Sequence, residues 1–311
     1  YLNGAPQVPS FCDDNGCSLR PFIYTYERTR SFKTNFRWVS EEKTGLEDRR
    51  YVNFFSKGME YTFLGIKFDR HLYGVDKGQI HIFGTDSTGK DIFSRTLTAV
   101  NTSMAVGTIG VLIAFFLALV IGGVSGYYGG KIDSVLQMVT DTVRTIPNIP
   151  LFMALAAFVP DTWSSEERFF FISLVLGLIG WTTLARRIRT HLLSERNQEY
   201  VLAAQLCGAS PSHVIRRHLL PSFTSYIIVD LVISFPYMIL SETALSFIGL
   251  GLKDPVNSLG VMLQNVTSAD VLLNYQWYFI PVIFFIVLVL AFVFVGDGLR
   301  DAADPYADTN K

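Results

Sequence analysis

The sequence predicts an all-α polytopic membrane protein with a polar N-terminal appendage. Three observations predict it. Half of the 311 residues are hydrophobic. Charged residues make up only 17%, against roughly 25% in ordinary globular chains. The charges crowd ahead of Thr96 and into Arg186–Arg217, leaving uncharged runs that reach the ~20 residues a helix needs to cross a hydrocarbon core. A net charge of −1 with no basic stripe excludes nucleic acid as a partner.

Residues 1–95 are polar and aromatic, with β-like pieces at Tyr51–Phe55, Tyr61–Phe68 and Gln79–Phe83. Cys12 and Cys17 flank Asp13, Asp14, Asn15 and Gly16, a turn-rich run that brings them together as a local disulfide if the segment faces an oxidising exterior. Two free thiols in a loop is the alternative. No second ligand pair stands near them, so no metal site is expected. Cys207 reads as a reduced cysteine engaged in packing.

No charged residue lies between Thr96 and Gly130, and Met104–Val124 is long enough to span as a helix. Asp91–Arg95 starts an interfacial helix that leads into it. Gly122, Gly123, Gly126, Gly129 and Gly130 then read as a turn ending at Lys131. A second span covers Ile132–Val159, interrupted by Asp141, Arg144, Pro147 and Pro150. A third, Phe169–Ala185, runs into Arg186, Arg187 and Arg189. A fourth, Phe223–Leu252, carries Asp230, Pro236 and Glu242, and Trp277–Val295 is the fifth. The loop Arg186–Arg217 also holds Arg196 and Arg216 against only Glu195 and Glu199, so the positive-inside rule makes it cytoplasmic. Counting spans from there places residues 1–95 outside and the C-terminus inside. An exported N-terminal segment needs a carrier, so a sixth helix is expected upstream of residue 1.

The most informative stretch is Gln198–Pro221, QEYVLAAQLCGASPSHVIRRHLLP. It reads as a helical hairpin. Ala203 and Ala204 lie on the first helix, and Gly208 ends it in the left-handed conformation. Ser210 caps the second helix with Pro211 at its first position, and Leu220-Pro221 closes it. Small residues on one face of a surface hairpin suit close docking of another protein.

Other motifs carry less. Phe83–Asp91, FGTDSTGKD, nearly spells a phosphate-binding loop, with Gly84, Gly89 and Lys90 in register. The position that needs a Ser or Thr is Asp91, however, and no βα domain follows. Asp141 and Arg144 are spaced to pair with each other on one helix, or to make a gating contact. For Glu242 a hydrogen bond to loop backbone competes with a contact to substrate, and Asp230 stays open. His191, His213 and His218 flank arginines, which suits surface contacts better than metal ligation. No nucleophile–base arrangement is visible, so no catalytic residue is assigned. A lone secondary carrier and a membrane-embedded enzyme remain as alternatives, although no inverted repeat is visible for the first.

Several motifs together resemble the permease subunits of oligopeptide/dipeptide-type ABC importers. They are Gly84–Arg95, GYYGGKID at Gly126–Asp133, Asp141 with Ile146-Pro147, the hairpin, ETALSFIGLGLKDP at Glu242–Pro255 and GDGLRDAADP at Gly296–Pro305. The resemblance covers residues 83–307. It departs at Leu202, where a glutamate is common (the nearest acid is Glu199), at His218 and at Met138. It implies a type I ABC importer transmembrane fold over residues 96–311, with a coupling hairpin at 195–221 made by Glu199, Ala203, Ala204, Gly208, Ala209, Ser210, Leu220 and Pro221. It also implies a second homologous permease, two ATPase subunits, an extracytoplasmic substrate-binding protein and a place in the inner membrane. ATP and magnesium would sit on the ATPases, with no cofactor in this chain. Residues 1–95 would form a scoop facing the binding protein, where Tyr24, Tyr26, Phe36 and Trp38 either contact that protein or form a small core. Peptides, nickel chelates, oligosaccharides and opine-like compounds all fit the resemblance as substrates.

Overall fold

The computed structural model describes residues 4–14, 16–24, 26–30, 38–42, 46–63, 66–75, 79–156, 158–160 and 162–303. The chain divides into two compact units. One is Tyr1–Leu97 with Val266–Ile280, and the other is Thr98–Asn265 with Pro281–Lys311.

The first unit is built on strands, so the all-α description holds only for the second. Strands β1 (Ser10–Asp13), β2 (Gly16–Ile23), β5 (Arg50–Phe63) and β6 (Ile66–Val75) form an antiparallel sheet in the order β1-β2-β5-β6. Strands β3 (Tyr26–Arg30) and β4 (Trp38–Glu42) pair separately. The β1–β2 register places Cys12 opposite Cys17, and the two are joined as a disulfide. Ile23, Val52 and Ile80 form a small core with Tyr73, Val75 and Ile82 against them. Tyr24 is buried and packs edge-on against Phe22. Phe36 and the side chains of Tyr26 and Trp38 lie outside the described residues. Gln79–Phe83 is not a strand; its backbone is held by Gln7, whose N–H donates to His81 O at 2.9 Å and whose Oε1 accepts from His81 N at 2.8 Å.

Helix α1 runs unbroken from Ile92 to Tyr128, 37 residues or about 55 Å at 1.5 Å per residue. The expected interfacial helix is therefore its first turn. Asp91 starts it, accepting from both the N–H and the hydroxyl of Ser94 at 2.8 Å. Of the five glycines expected to form the turn, only Gly129 and Gly130 do so, with φ of 63° and 56°. Gly122 and Gly126 stay inside α1 because they are packing positions. A Cβ on Gly122 would stand 2.5 Å from Ala185 O, and one on Gly126 would stand 2.7 Å from Leu192 Cβ. A Cβ on Gly177 would likewise stand 2.6 Å from Ile113 Cβ. These contacts form a seam along which α1 and α4 (Ser165–Glu195) run parallel, the small-residue packing expected where backbones approach in a membrane.

The expected second span is two helices, α2 (Gly130–Thr145) and α3 (Asn148–Ala156). The break falls at Ile146, which is extended (φ −77°, ψ 122°), because the ring of Pro147 disfavours helical backbone in the residue before it. Helix α4 begins with a capping box between Ser164 and Glu167 and continues to Glu195, nearly three turns past Ala185. Arg186, Arg187 and Arg189 are thus helical residues, not loop residues. After the hairpin, α7 (Thr224–Phe247) contains Pro236. Helices α8 (Leu259–Val266) and α9 (Ala269–Asn274) precede a short 3-10 turn and α10 (Ile280–Ala303). Among the described residues four helical stretches are long and apolar enough to cross a membrane: Ile92–Tyr128, Ser165–Glu195, Pro211–Phe247 and Gln276–Ala302.

Candidate functional site: a hairpin of small residues

The hairpin starts with α5 (Glu199–Leu206). Its end follows from Gly208, whose φ of 81° lies in the left-handed region. Gly208 N donates to Gln205 O at 2.9 Å and Ala209 N donates to Ala204 O at 3.1 Å. These are the two reversed bonds of a Schellman motif, which satisfies carbonyls a helix end would otherwise leave bare. Ser210 Oγ then accepts from His213 N at 3.3 Å, and Pro211 opens α6 (Pro211–Val214).

Leu220-Pro221 does not close this helix. Pro221 lacks the N–H that an α-helix would need there. The backbone widens to π spacing over Ile215–Leu219, with Leu220 N donating to Ile215 O at 2.9 Å. It then tightens to a 3-10 turn over Pro221–Phe223 and enters α7. The hairpin is therefore continuous with a membrane-length helix.

Val201, Val214 and Leu219 are fully buried and fasten the hairpin from within. Glu199, Ala203, Gly208, Ser210 and Pro221 are exposed, while Ala204, Ala209 and Leu220 are half-buried. A Cβ on Gly208 would meet no atom within 4 Å. Sequence reasoning missed the apolar residues beside them: Leu206 is 89% exposed, Leu202 45% and Tyr200 41%. The Leu202–Leu206 spacing of one helical turn was a signal, hidden because α5 is too short for an amphipathic pattern. Free Cys207 is exposed, not packed. The result is an outward surface of small residues with one protruding leucine.

The charged candidates fall elsewhere. Asp141 is not paired with Arg144 on its own helix; its carboxylate accepts from Arg186 of α4. A guanidinium on the facing helix reaches the carboxylate directly, and the two candidates are not brought together. Asp230, 4% exposed, pairs with Arg187 of α4. Arg189 grips Asp133 of α2 with both Nε and Nη2 at 2.5 Å, and Ser125 Oγ donates to the same carboxylate at 2.5 Å.

Glu242 is fully buried. Ser103 Oγ donates to its Oε2 at 2.7 Å and Ser246 Oγ to its Oε1 at 2.8 Å. Those hydroxyls accept in turn from Leu259 N at 3.2 Å and Leu252 N at 3.0 Å. Glu242 therefore reaches the loop backbone at one remove, through serines whose hydroxyl protons are aimed at it. Gly251 and Gly260 allow this loop to fold back, since a Cβ on either would stand within 2.5 Å of Ser246 or Thr243.

The phosphate-loop lookalike is filled by its own carboxylate. Asp86 Oδ1 accepts from Thr88 N and Oγ1 at 2.7 Å and from Lys90 N at 2.9 Å, and Oδ2 accepts from Arg95. Burial pushes the Asp86 carboxyl up, but these donors outweigh it and hold the group below the usual carboxylate range. His191 stacks on Phe223 with ring centres 3.9 Å apart, and His213 meets His218 edge-on. Among the described residues no three His, Cys, Asp or Glu side chains are grouped to hold a metal.

Residues 110–308 match the model of the family described as "Binding-protein-dependent transport system inner membrane component". The chain belongs to that family. Its members are transport components and not enzymes, which sets aside the membrane-enzyme alternative. The dipeptide transport system permease protein DppC of Lactococcus lactis subsp. cremoris is 35% identical over 238 residues, 75% of this chain and 66% of that protein. The oligopeptide transport system permease protein OppC of Bacillus subtilis is 34% identical over 238 residues, 76% of this chain and 75% of that protein. The chain thus spans two thirds to three quarters of such relatives. A solved structure of the MetNI methionine ABC transporter in an inward-facing conformation overlays with a TM-score of 0.55 at 17% identity, covering 68% of this chain and 98% of that one. At that identity the likeness concerns the fold alone, and it is the transmembrane fold expected from the motifs.

Proposed function

We propose that the chain is a permease subunit of an ABC importer that takes up peptides or similar small solutes, powered by separate ATPases through the Glu199–Pro221 hairpin. One observation carries this reading. The hairpin presents an exposed face of Ala203, Gly208, Ser210 and Leu206 on a rigid Schellman turn, and its far end is continuous with the long apolar stretch through α7. A motor seated on that face would move a gate helix directly. The names of the relatives favour peptides as the cargo class. The partners are a second homologous permease, two ATPases carrying ATP and magnesium, and an extracytoplasmic binding protein.

We infer five crossings, with α2 and α3 together as the second, since α1 and α4 run parallel and the chain has to return between them. The hairpin and C-terminus are cytoplasmic and residues 1–95 face outward as a scoop for the binding protein. Purification from membranes tests the reading. An ABC permease brings down a second permease and an ATPase, and uptake of a labelled dipeptide depends on ATP. Uptake driven by an ion gradient, with no ATPase co-purified, would favour a lone secondary carrier. Labelling of Cys207 in intact cells by an impermeant thiol reagent would place the hairpin outside and defeat the orientation.

A further inference from the structure

Three arginines near the end of α4 each hold an acid on a neighbouring helix. Arg186 takes Asp141 and Arg189 takes Asp133, both on α2, while Arg187 takes Asp230 on α7. Helix geometry explains the division. Residues 186 and 189 share a face at the i,i+3 spacing, whereas 187 is turned about 100° from 186. The pairs are unequal in burial. Asp230 is 4% exposed and Asp133 13%, whereas Asp141 is 62% exposed and contributes least. An exposed ion pair is worth little, while a buried acid that loses its partner is strongly destabilised.

The position of the pairs in the chain matters more than their strength. The hairpin leaves α4 at Glu195 and joins α7 at Thr224. Arg187 and Asp230 therefore close its base from the two sides. A further pin acts at its entry, where Arg196 Nη1 donates to Tyr127 O at 3.3 Å and lies over Gly129, where a Cβ would stand 2.4 Å from Nη1. Val201, Val214 and Leu219 already pack the hairpin into the core that holds Ile188 and Leu192, but apolar contacts are non-directional, so without the ion pairs the hairpin would shift at its base and lose displacement within itself. Closed at the base, it moves as one piece with α4, and α2 and α7 move with it.

We propose that Arg187–Asp230, with Arg189–Asp133 beside it, is a clasp that makes the hairpin a rigid lever, and that these four are positioning residues for coupling. The proposal rests on the coupling reading above, but its test does not need the motor. Nitroxide labels are placed on Cys207 and on Val139→Cys in α2, or on Cys207 and Leu240→Cys in α7, of the full chain in nanodiscs. Pulsed dipolar spectroscopy then reads the distance distributions. The parent chain gives narrow distributions. Arg187→Ala and Asp230→Asn broaden both by roughly twofold or more as the base opens, and the reversed pair Arg187→Asp with Asp230→Arg narrows them again. Gly177→Ala, which crowds the α1–α4 seam, lowers thermal stability without broadening them, so general destabilisation is separated from loss of the clasp. Unchanged widths in the single variants overturn the proposal, and so does broadening by Gly177→Ala of the same size. Rescue failing in an inserted reversed pair also overturns it. Co-purification of an ATPase from the same membranes reports on the coupling reading separately.

Discussion

Gly208 offers a clean separation of fold from docking, because its two roles respond differently to substitution. Its φ of 81° is a conformation that any L residue adopts only under strain, costing about 1–2 kcal/mol. Gly208→Ala and Gly208→Trp incur the same strain. The alanine methyl meets no resistance within the chain, since a Cβ there has no neighbour within 4 Å, and the same open space lies at the root of a tryptophan side chain. They differ only in what projects from the outer face. The strain is present in the free and the docked hairpin alike, so it lowers the stability of the fold; if that face docks an ATPase, alanine leaves association near the unmodified level. Tryptophan adds steric exclusion and abolishes association at micromolar ATPase. Leu206, 89% exposed, supplies the complementary loss, because Leu206→Ala removes about 1.5–3 kcal/mol of apolar burial on docking and leaves the hairpin's inner contacts untouched. The assay is quantitative capture of the ATPase on nanodisc-held permease, with ATP hydrolysis by the captured complex. Equal behaviour of the alanine and tryptophan variants, or capture by Gly208→Trp at the unmodified level, would refute the reasoning.

Three further outcomes are expected. Gly126→Ala puts a methyl 2.7 Å from Leu192 Cβ and 2.9 Å from Arg189 O, so it should destabilise by about 1–3 kcal/mol, read as a lower melting temperature in detergent, whereas Gly130→Ala, with open space around it, should cost only its positive-φ strain. Asp86 is held below the ordinary carboxylate range, so its stabilisation of the first unit is complete above about pH 4 and is lost as pH falls through the depressed value; Asp86→Asn should remove that acid-dependent loss in a titration of unfolding by tryptophan fluorescence. Glu242→Gln keeps the shape but offers an amide donor to serine hydroxyls already aimed inward, so amide exchange at Leu252 and Leu259 should accelerate by roughly 5- to 150-fold for a loss of about 1–3 kcal/mol.

Much of the helical unit is legible because the membrane removes alternatives. Lipid admits only helices and closed barrels, and the uncharged run from Thr96 to Gly130 far exceeds the ~9–11 residues of a barrel strand, so it is a helix; the Gly208-Ala209-Ser210-Pro211 turn is dictated by residue types with narrow backbone preferences. Misreadings arise where one residue type serves two ends. Glycine permits both a positive φ and a close helix crossing. Gly129 and Gly130 use the first property and Gly122 and Gly126 the second, and nothing local distinguishes them. Proline is similar: Pro147 breaks the backbone between α2 and α3, whereas Pro221 is carried through by a π turn ahead of it.

The arginines mark the deeper limit. Charge counting treats Arg186, Arg187 and Arg189 as a sum that orients the protein, and a sum carries no information about where each guanidinium points. Their partners, Asp141, Asp230 and Asp133, lie 45, 43 and 56 residues away in the chain, and only the packing of α4 between α2 and α7 brings them into reach. The same side chains can satisfy the orientation rule and the ion pairs together, because a helix that ends in cations at the membrane edge has them within reach of acids on its neighbours. An intramembrane acid such as Asp230 should therefore be weighed first against the cationic ends of adjacent helices and only then against a substrate.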